Sequence, residues 1–349
     1  MHWKSMLRRS LRNLAALSIG LVLSLVAAEI AVRLIPEEKP PRVEPPLFRA
    51  ARMPFNSLRY RDFDYRIPKG KNVYRIMVAG DSFSAGEGVS FEDSYPKKLE
   101  LYLNYFKHDK TITYQVANMS RGGRSTPEEV QLIMRKADEI EPDLVILGHC
   151  LNDPEDWNGA GRETLRLIRN KCYYYPFVKP RAAVTSFLYN HSALFKLVMH
   201  RYFSYRVVRG HTHYYHRLYK DNYPGWQKSQ KALCDLGRFS RNQHIPVVVV
   251  MFPLFSYGLG DDYPFADIEA KLRQACGRAG LSYLDIFPYY KGMDHIRLEA
   301  TPFKDPHPSE IAHRIAAEAL WQGLMREGVT PDGKRSATDI VFQKDPPKW

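Results

Sequence analysis

The chain has 349 residues, 44% of them apolar and 26% charged, with 51 lysines and arginines against 38 acids for a net charge of +13. That length and composition exclude a chain without a core and predict one domain of about 280 residues with terminal extensions. A basic balance suits nucleic acid, anionic lipid or an acidic polymer, but no nucleic-acid-binding motif accompanies it, so the excess reads as a membrane-segment flank plus solvated surface.

The amino terminus carries Lys4, Arg8, Arg9 and Arg12, and residues 1–13 form a basic flank. Residues 14–35 follow, apolar from Leu14 to Ile35 and charge-free as far as Ala28. As a helix this run is about 33 Å long, enough to cross a bilayer. Glu29 and Arg33 interrupt it, but they stand four apart with the acid first, the favourable helical order. Val26-x-Ala28 also fits a small-residue cleavage site, so a removable signal peptide is the alternative to an uncleaved anchor. The anchor is the reading preferred, with the basic flank in the cytoplasm and the bulk exported. Residues 36–69, with Pro36, Pro40, Pro41, Pro45, Pro46 and Pro54, read as an extended spacer and lead-in.

The catalytic body is expected over residues 70–327. Apolar runs of strand length, Val73–Ala79, Thr113–Ala117, Leu144–Leu147, Ile245–Met251 and Leu281–Phe287, alternate with helical patterns, which predicts a parallel five-stranded sheet of the α/β class. Ser125-Thr126-Pro127-Glu128-Glu129 opens one helix and Pro308-Ser309-Glu310 another, each with proline and acid in the first turn. Residues 154–223 break the alternation after the third strand. They are too long for an unstructured loop and predict an inserted helical cap over the carboxyl edge of the sheet. Residues 328–349 read as a polar, poorly ordered tail.

Cys150, Cys172, Cys234 and Cys276 form no C-x-x-C pair and no zinc spacing. One or two disulfides and buried free thiols both remain open for them. His211, His213 and His216 lie among tyrosines with no carboxylate to complete a metal site, so they read as a polar face, and no cofactor or metal is expected. Asp294-His295 reads as a surface pair, and His149, close to Asn152, reads either as a neighbour of the site or as a partly buried packing histidine.

Four short blocks carry chemistry. Gly80-Asp81-Ser82 follows the first strand and Asn118-Met119-Ser120-Arg121-Gly122-Gly123 the second. Gly148-His149-Cys150-Leu151-Asn152-Asp153 follows the third, and Asp305-Pro306-His307-Pro308 precedes the last helix. A serine on a tight turn at a strand's carboxyl end is reachable by substrate and by a base from a neighbouring loop. In order and placement the blocks resemble the SGNH (GDSL-like) hydrolase superfamily, and the amino-terminal anchor and proline-rich spacer resemble its membrane-anchored bacterial members.

That resemblance implies a flavodoxin-like three-layer α/β/α sandwich with an amino-terminal transmembrane helix and a helical insertion. It assigns Ser82 as nucleophile, His307 as general base, and Ser82, Gly123 and Asn152 as oxyanion-hole donors. The usual acid position, three before the histidine, holds Lys304, so Asp305, two before, is assigned as the acid. The implied activity is hydrolysis of a carboxylic ester through an acyl-serine, in the periplasm of a bacterial cytoplasmic membrane or, after cleavage, in secreted form. The expected partners are the membrane and an acylated small molecule or carbohydrate, not nucleic acid. Two alternatives stay open: an O-acyltransferase of surface polysaccharide, which needs a membrane-embedded acyl donor, and a non-catalytic carbohydrate-binding or assembly protein.

Overall fold

The computed structural model describes residues 2–34, 55–172, 184, 187–188, 191–301 and 305–332. One helix, α1 (His2–Leu34), precedes a sheet of β1 (Val73–Gly80), β2 (Thr113–Asn118), β3 (Leu144–His149), β4 (Val247–Met251) and β5 (Ser282–Leu284). All neighbouring pairs are parallel, in the order β2-β1-β3-β4-β5. This is the flavodoxin-like order. Ile76–Ala79 of β1, Val145–Leu147 of β3 and Val247–Met251 of β4 are buried without interruption, as strands covered on both faces require.

Between the strands run α2 (Ser82–Ala85), α3 (Tyr95–Phe106), α4 (Thr126–Ile140), α5 (Arg162–Cys172), α6 (Ala193–Leu218), α7 (Pro224–Gln243) and α8 (Ala266–Ala279). After β5 come α9 (Phe287–Tyr290), a short antiparallel pair β6 (Glu299–Thr301) and β7 (Asp305–Pro308), and α10 (Glu310–Glu327). The chain leaves β1 for β2 through α3, then crosses back over β1 to β3 through α4. Right-handed crossovers in opposite directions put those two helices on opposite faces. One layer is completed by α10 against α3, the other by α7 against α4 and α8. The starts follow the sequence signals: Ser125 N–H donates to Glu128 Oε2 at 2.9 Å at the head of α4, and Ser309 caps α10.

The expected strand over residues 281–287 stops at Leu284, because Asp285 Oδ1 accepts the Phe287 N–H at 3.1 Å and turns the chain into α9. The β6–β7 pair was not anticipated, since it is three and four residues long and β7 holds two prolines.

Two boundaries differ from the expected ones. The packed domain begins near residue 55 rather than 70: Asn56, Tyr60 and Asp62 are buried, and Asp62 pairs with Lys97 at 2.8 Å with both side chains almost fully enclosed. The tail also starts later than Gly328, since Tyr74 OH donates to the Val329 carbonyl at 2.6 Å and Tyr114 OH to Asp332 Oδ2 at 2.7 Å. Residues 35–54 of the spacer, 333–349 of the tail, and Lys304 lie outside the described residues.

The chain divides into two compact units, residues 1–42 with 168–214 and residues 43–167 with 215–349. The sheet belongs to the second. The insertion is helical in α5 and α6, while residues 173–183, 185–186 and 189–190 lie outside the described residues. Cys150, Cys234 and Cys276 are free thiols, the first and last buried.

At their carboxyl ends β1 and β3 pair Gly80 with Gly148. A Cβ at Gly148 would stand 2.1 Å from Ser84 Oγ, and one at Gly80 2.3 Å from the same atom, so both glycines make room for the serine beneath them. Gly148→Ala is expected to cost about 1–3 kcal/mol through overpacking. Adding Ser84→Ala should recover part of that loss, as read from a double-mutant cycle of thermal or urea unfolding.

Candidate active site

Gly80 ends β1, and Asp81 Oδ1 accepts the Phe83 N–H at 2.9 Å, which opens α2 with Ser82 as its first residue. Asp81 itself is 1% exposed. The turn beyond α2 is held from outside the motif: Arg61 donates from Nη1 to the Gly86 carbonyl at 2.7 Å and from Nη2 to the Val89 carbonyl at 2.8 Å. Within that turn Gly88 has φ 92°, and a Cβ there would lie 2.6 Å from Ala300 Cβ and 3.4 Å from His307 Cβ. A side chain at Gly88 would therefore push the Ser82 turn away from β6 and β7.

Asn118 ends β2 opposite Val78 of β1. Its Nδ2 donates to the Ser84 carbonyl at 2.9 Å, its Oδ1 accepts the Ser120 N–H at 3.1 Å, and its own N–H donates to Asp62 Oδ2 at 2.7 Å. The lead-in residue Asp62 thus braces the second block through the backbone. Beyond it the amides of Gly122 and Gly123 make no hydrogen bond among the described residues. A Cβ on Gly122 would meet Glu87 Oε1 at 2.1 Å, whereas one on Gly123 would meet nothing within 4 Å, so it is Gly123 that faces open space.

On the other side of β1, β3 leads into Asn152, whose half-buried side chain makes no hydrogen bond among the described residues. The strand order therefore sets the second, first and third blocks side by side, with Ser82 in the middle, at the switch point where ligands of such sheets collect.

The fourth block comes from β7. Residues i and i+2 of a strand share a face. Asp-x-His accordingly brings Asp305 Oδ1 to 2.6 Å from His307 Nδ1, and the same oxygen accepts the His307 N–H at 3.2 Å. The two-residue spacing thus supplies the carboxylate that a three-residue spacing would otherwise provide. The His307 ring packs on Phe83, next to Ser82, with centroids 5.7 Å apart. Its Nε2 lies 3.7 Å from Glu87 Oε2, while Ser82 Oγ lies 3.5 Å from Asp81 Oδ2. Ser82 and His307 are neighbours here without a hydrogen bond between them.

Three residues around the site carry no mark of a role in the sequence: Arg61, Phe83 and Glu87. Glu87 was visible inside the glycine-rich turn, but only the fold brings its carboxylate against both the second block and His307. Arg61 lay in what read as spacer.

Beneath the loops is a buried polar cluster. His149 Nδ1 lies 3.0 Å from Asp153 Oδ2, which also accepts from Thr126 Oγ1 at 2.9 Å, and His149 Nε2 lies 2.7 Å from Tyr219 OH. His149 is fully buried, a packing histidine beside the site. Glu129 is buried with neither carboxyl oxygen hydrogen-bonded among the described residues. Burial, with the charges of Asp153 and Asp81 close by, pushes its carboxyl well above the usual range. Burial and the Asp153 charge push Asp81 up to about 7. Elsewhere, Asp294 Oδ1 accepts the Ile296 N–H at 3.1 Å and His295 Nδ1 lies 2.8 Å from the Phe255 carbonyl, so that pair is structural. His216 Nε2 meets Asp267 Oδ1 at 3.2 Å.

No family model and no curated protein matches the chain. Several solved structures resemble it weakly. TesA is 16% identical, covering 73% of this chain and 99% of its own, with a TM-score of 0.41. The psychrotrophic esterase EstA from Pseudoalteromonas sp. is 12% identical, covering 73% and 99%, with a TM-score of 0.39. A catalytic mutant of Axe2, an acetylxylan esterase from Geobacillus stearothermophilus, is 14% identical, covering 71% and 92%, with a TM-score of 0.39. Likeness at this level fixes no activity. What the chain's own fold and site define is an α/β protein of flavodoxin-like strand order, with a serine at the switch point and an Asp–His pair beside it.

The Asp81 carboxyl, ordinarily at 3.8, holds a proton up to about 7 in the folded chain. Between those values the folded state binds a proton that the unfolded state has released, so stability falls as pH rises. Asp81→Asn, which keeps a capping oxygen, is expected to flatten that fall in thermal unfolding followed from pH 4 to 7. Part of the slope should survive, because burial pushes Glu269 up to about 8 in the same direction.

Proposed function

We propose that the protein is a serine esterase of the SGNH type, acting outside the cytoplasm on acyl groups of a carbohydrate through an acyl-Ser82 intermediate. The observation that carries this reading is the 2.6 Å bond between Asp305 and His307 beside the nucleophile turn, facing unbonded donors at the ends of neighbouring strands.

In this mechanism Asp305 accepts from Nδ1 and fixes the tautomer in which His307 Nε2 is free to take a proton. Nε2 turns from Glu87 toward Ser82 Oγ while the ring stays packed on Phe83. As Oγ attacks the acyl carbonyl its proton passes to Nε2, and the charge on the carbonyl oxygen is met by the amides of Ser82 and Gly123 and by Asn152 Nδ2. Donors of this kind are worth about 3 kcal/mol each in a preorganised site. The imidazolium returns its proton to the departing alkoxide. Water then repeats the sequence on the acyl-enzyme and releases the acid.

The extracytoplasmic setting is supported by α1, whose segment Arg9–Leu34 has the length and mean hydropathy of a membrane span, with the basic flank on its amino side. A domain tethered there meets surface polysaccharide, hence the carbohydrate ester as substrate class.

Turnover of p-nitrophenyl acetate by the full chain in detergent is the direct test. Ser82→Ala is expected to lower kcat/KM by about 10⁴-fold or more, with Asp305→Asn giving a loss of about 10²–10⁴-fold. A folded wild type with no turnover and no labelling of Ser82 by a fluorophosphonate would overturn the reading. Product analysis with added polysaccharide distinguishes hydrolysis from transfer to a sugar hydroxyl.

Glu87 adds a specificity prediction. Its carboxylate stands half-exposed beside His307 and opposes a negatively charged acyl group. Glu87→Gln is expected to raise kcat/KM for a hemisuccinate ester relative to the acetate by roughly fivefold, the worth of about 1 kcal/mol between solvated charges. Parallel rate measurements on the two esters check it.

A further inference from the structure

The first compact unit joins α1 to the insertion through a charged contact that neither a simple anchor nor a simple cap requires. Glu29 Oε1 accepts from Arg33 Nε at 2.8 Å and from the Ala193 N–H at 2.8 Å. Its Oε2 accepts from Ser192 Oγ at 2.8 Å and from the Leu194 N–H at 2.9 Å. Arg33 Nη2 donates in turn to the His191 carbonyl at 2.8 Å. Glu29 therefore caps the first turn of α6 from another helix, meeting amides that have no partner inside α6.

The depth of that contact follows from α1. A bilayer core takes about 20 helical residues, so a span that begins at Leu14 reaches its far interface near Arg33. Glu29 lies one turn short of it. A carboxylate at that level is costly unless paired, and its partners are the head of α6, so the head of α6 lies at the membrane surface.

The side chains around this contact fit that setting. Phe187 and Leu188 before it are 62% and 37% exposed, and Leu197 and Val198 after it 37% and 55%. Exposed apolar side chains thus flank the contact on both sides, as an element seated in a headgroup layer requires. The charge of the insertion points the same way: between Glu163 and Asp221 the sequence holds eleven lysines and arginines and no acidic residue. Apolar side chains interspersed with basic ones, without acids, are the composition of segments that lie in the headgroup layer of anionic membranes.

We propose that the head of α6 is an interfacial membrane-binding element, pinned to the outer end of α1 by Glu29 and Arg33, with Phe187, Leu188, Leu197 and Val198 entering the headgroup region of an anionic bilayer. The proposal rests on α1 as a retained span and not on the esterase chemistry.

The test uses the full chain with Cys172→Ser and Cys234→Ser, reconstituted in vesicles of phosphatidylethanolamine and phosphatidylglycerol. Single cysteines are introduced as Phe187→Cys or Leu197→Cys and labelled with NBD. Lys231→Cys, on the exposed surface of α7, is the aqueous reference. The expected result is a blue-shifted emission at 187 and 197 that doxyl lipid quenches, an unquenched signal at 231, and weaker quenching at 187 and 197 when phosphatidylcholine replaces phosphatidylglycerol. Adding Glu29→Gln with Ser192→Ala should also weaken it. Emission at 187 and 197 equal to that at 231 would overturn the proposal. A blue shift without lipid quenching would overturn it too, since a protein surface then covers the patch. Intact mass of the membrane-purified chain supplies the last check, because loss of α1 on export removes the pin. Ester turnover is not read in any of these arms, so failure here is distinct from failure of the proposed activity.

Discussion

Everything at the candidate site depends on how closely β1 and β3 approach at their carboxyl ends. Gly80 and Gly148 leave between them only the space that Ser84 fills, and Ser84 is tied by its carbonyl to Asn118 and by its hydroxyl to Tyr95 OH at 2.9 Å. Tyr95 in turn donates its N–H to Nδ1 of His313 at 3.2 Å, a ring that burial keeps neutral by pushing it down to about 3. One serine under the Ser82 turn thus links three strand ends and two helices. The position of Ser82 is a consequence of that packing rather than of the turn alone.

The parts of this arrangement legible in the sequence were those with a local cause. Buried parallel strands announce themselves as unbroken apolar runs, and proline, serine and acid at a helix start leave a mark of four or five residues. The four blocks were equally local, and their order along the chain placed them at the ends of the first three strands and before the last helix. Pairings across long separations were hidden. Nothing in Arg61 or Asp62 distinguishes them from the charged residues of a spacer, and only the folded chain sets them against Gly86, Val89 and Asn118. Asp305 illustrates a case between these extremes. Its offset from His307 looked irregular until the segment proved to be a strand, where alternate residues share a face.

The buried acids under the loops pose a different constraint. Asp81, Glu129 and Asp153 are buried together with His149, and burial with the neighbouring negative charges raises the carboxyls of Asp81 and Glu129. Thr126, the first residue of α4, donates into the cluster, so the helix that carries the second block onward is also fixed from below. The site therefore rests on a buried layer of raised carboxyls, while the His307–Asp305 pair is partly exposed.

The Arg61 clamp bears on proteolysis. A protease that cut between residues 35 and 54 would leave Arg61 and Asp62 joined to the chain that forms the sheet, whereas a cut just after Asp62 would separate both from the turn and strand they hold. Two cleavages only a few residues apart would thus have opposite outcomes for the Ser82 turn, one leaving it braced and the other setting it loose.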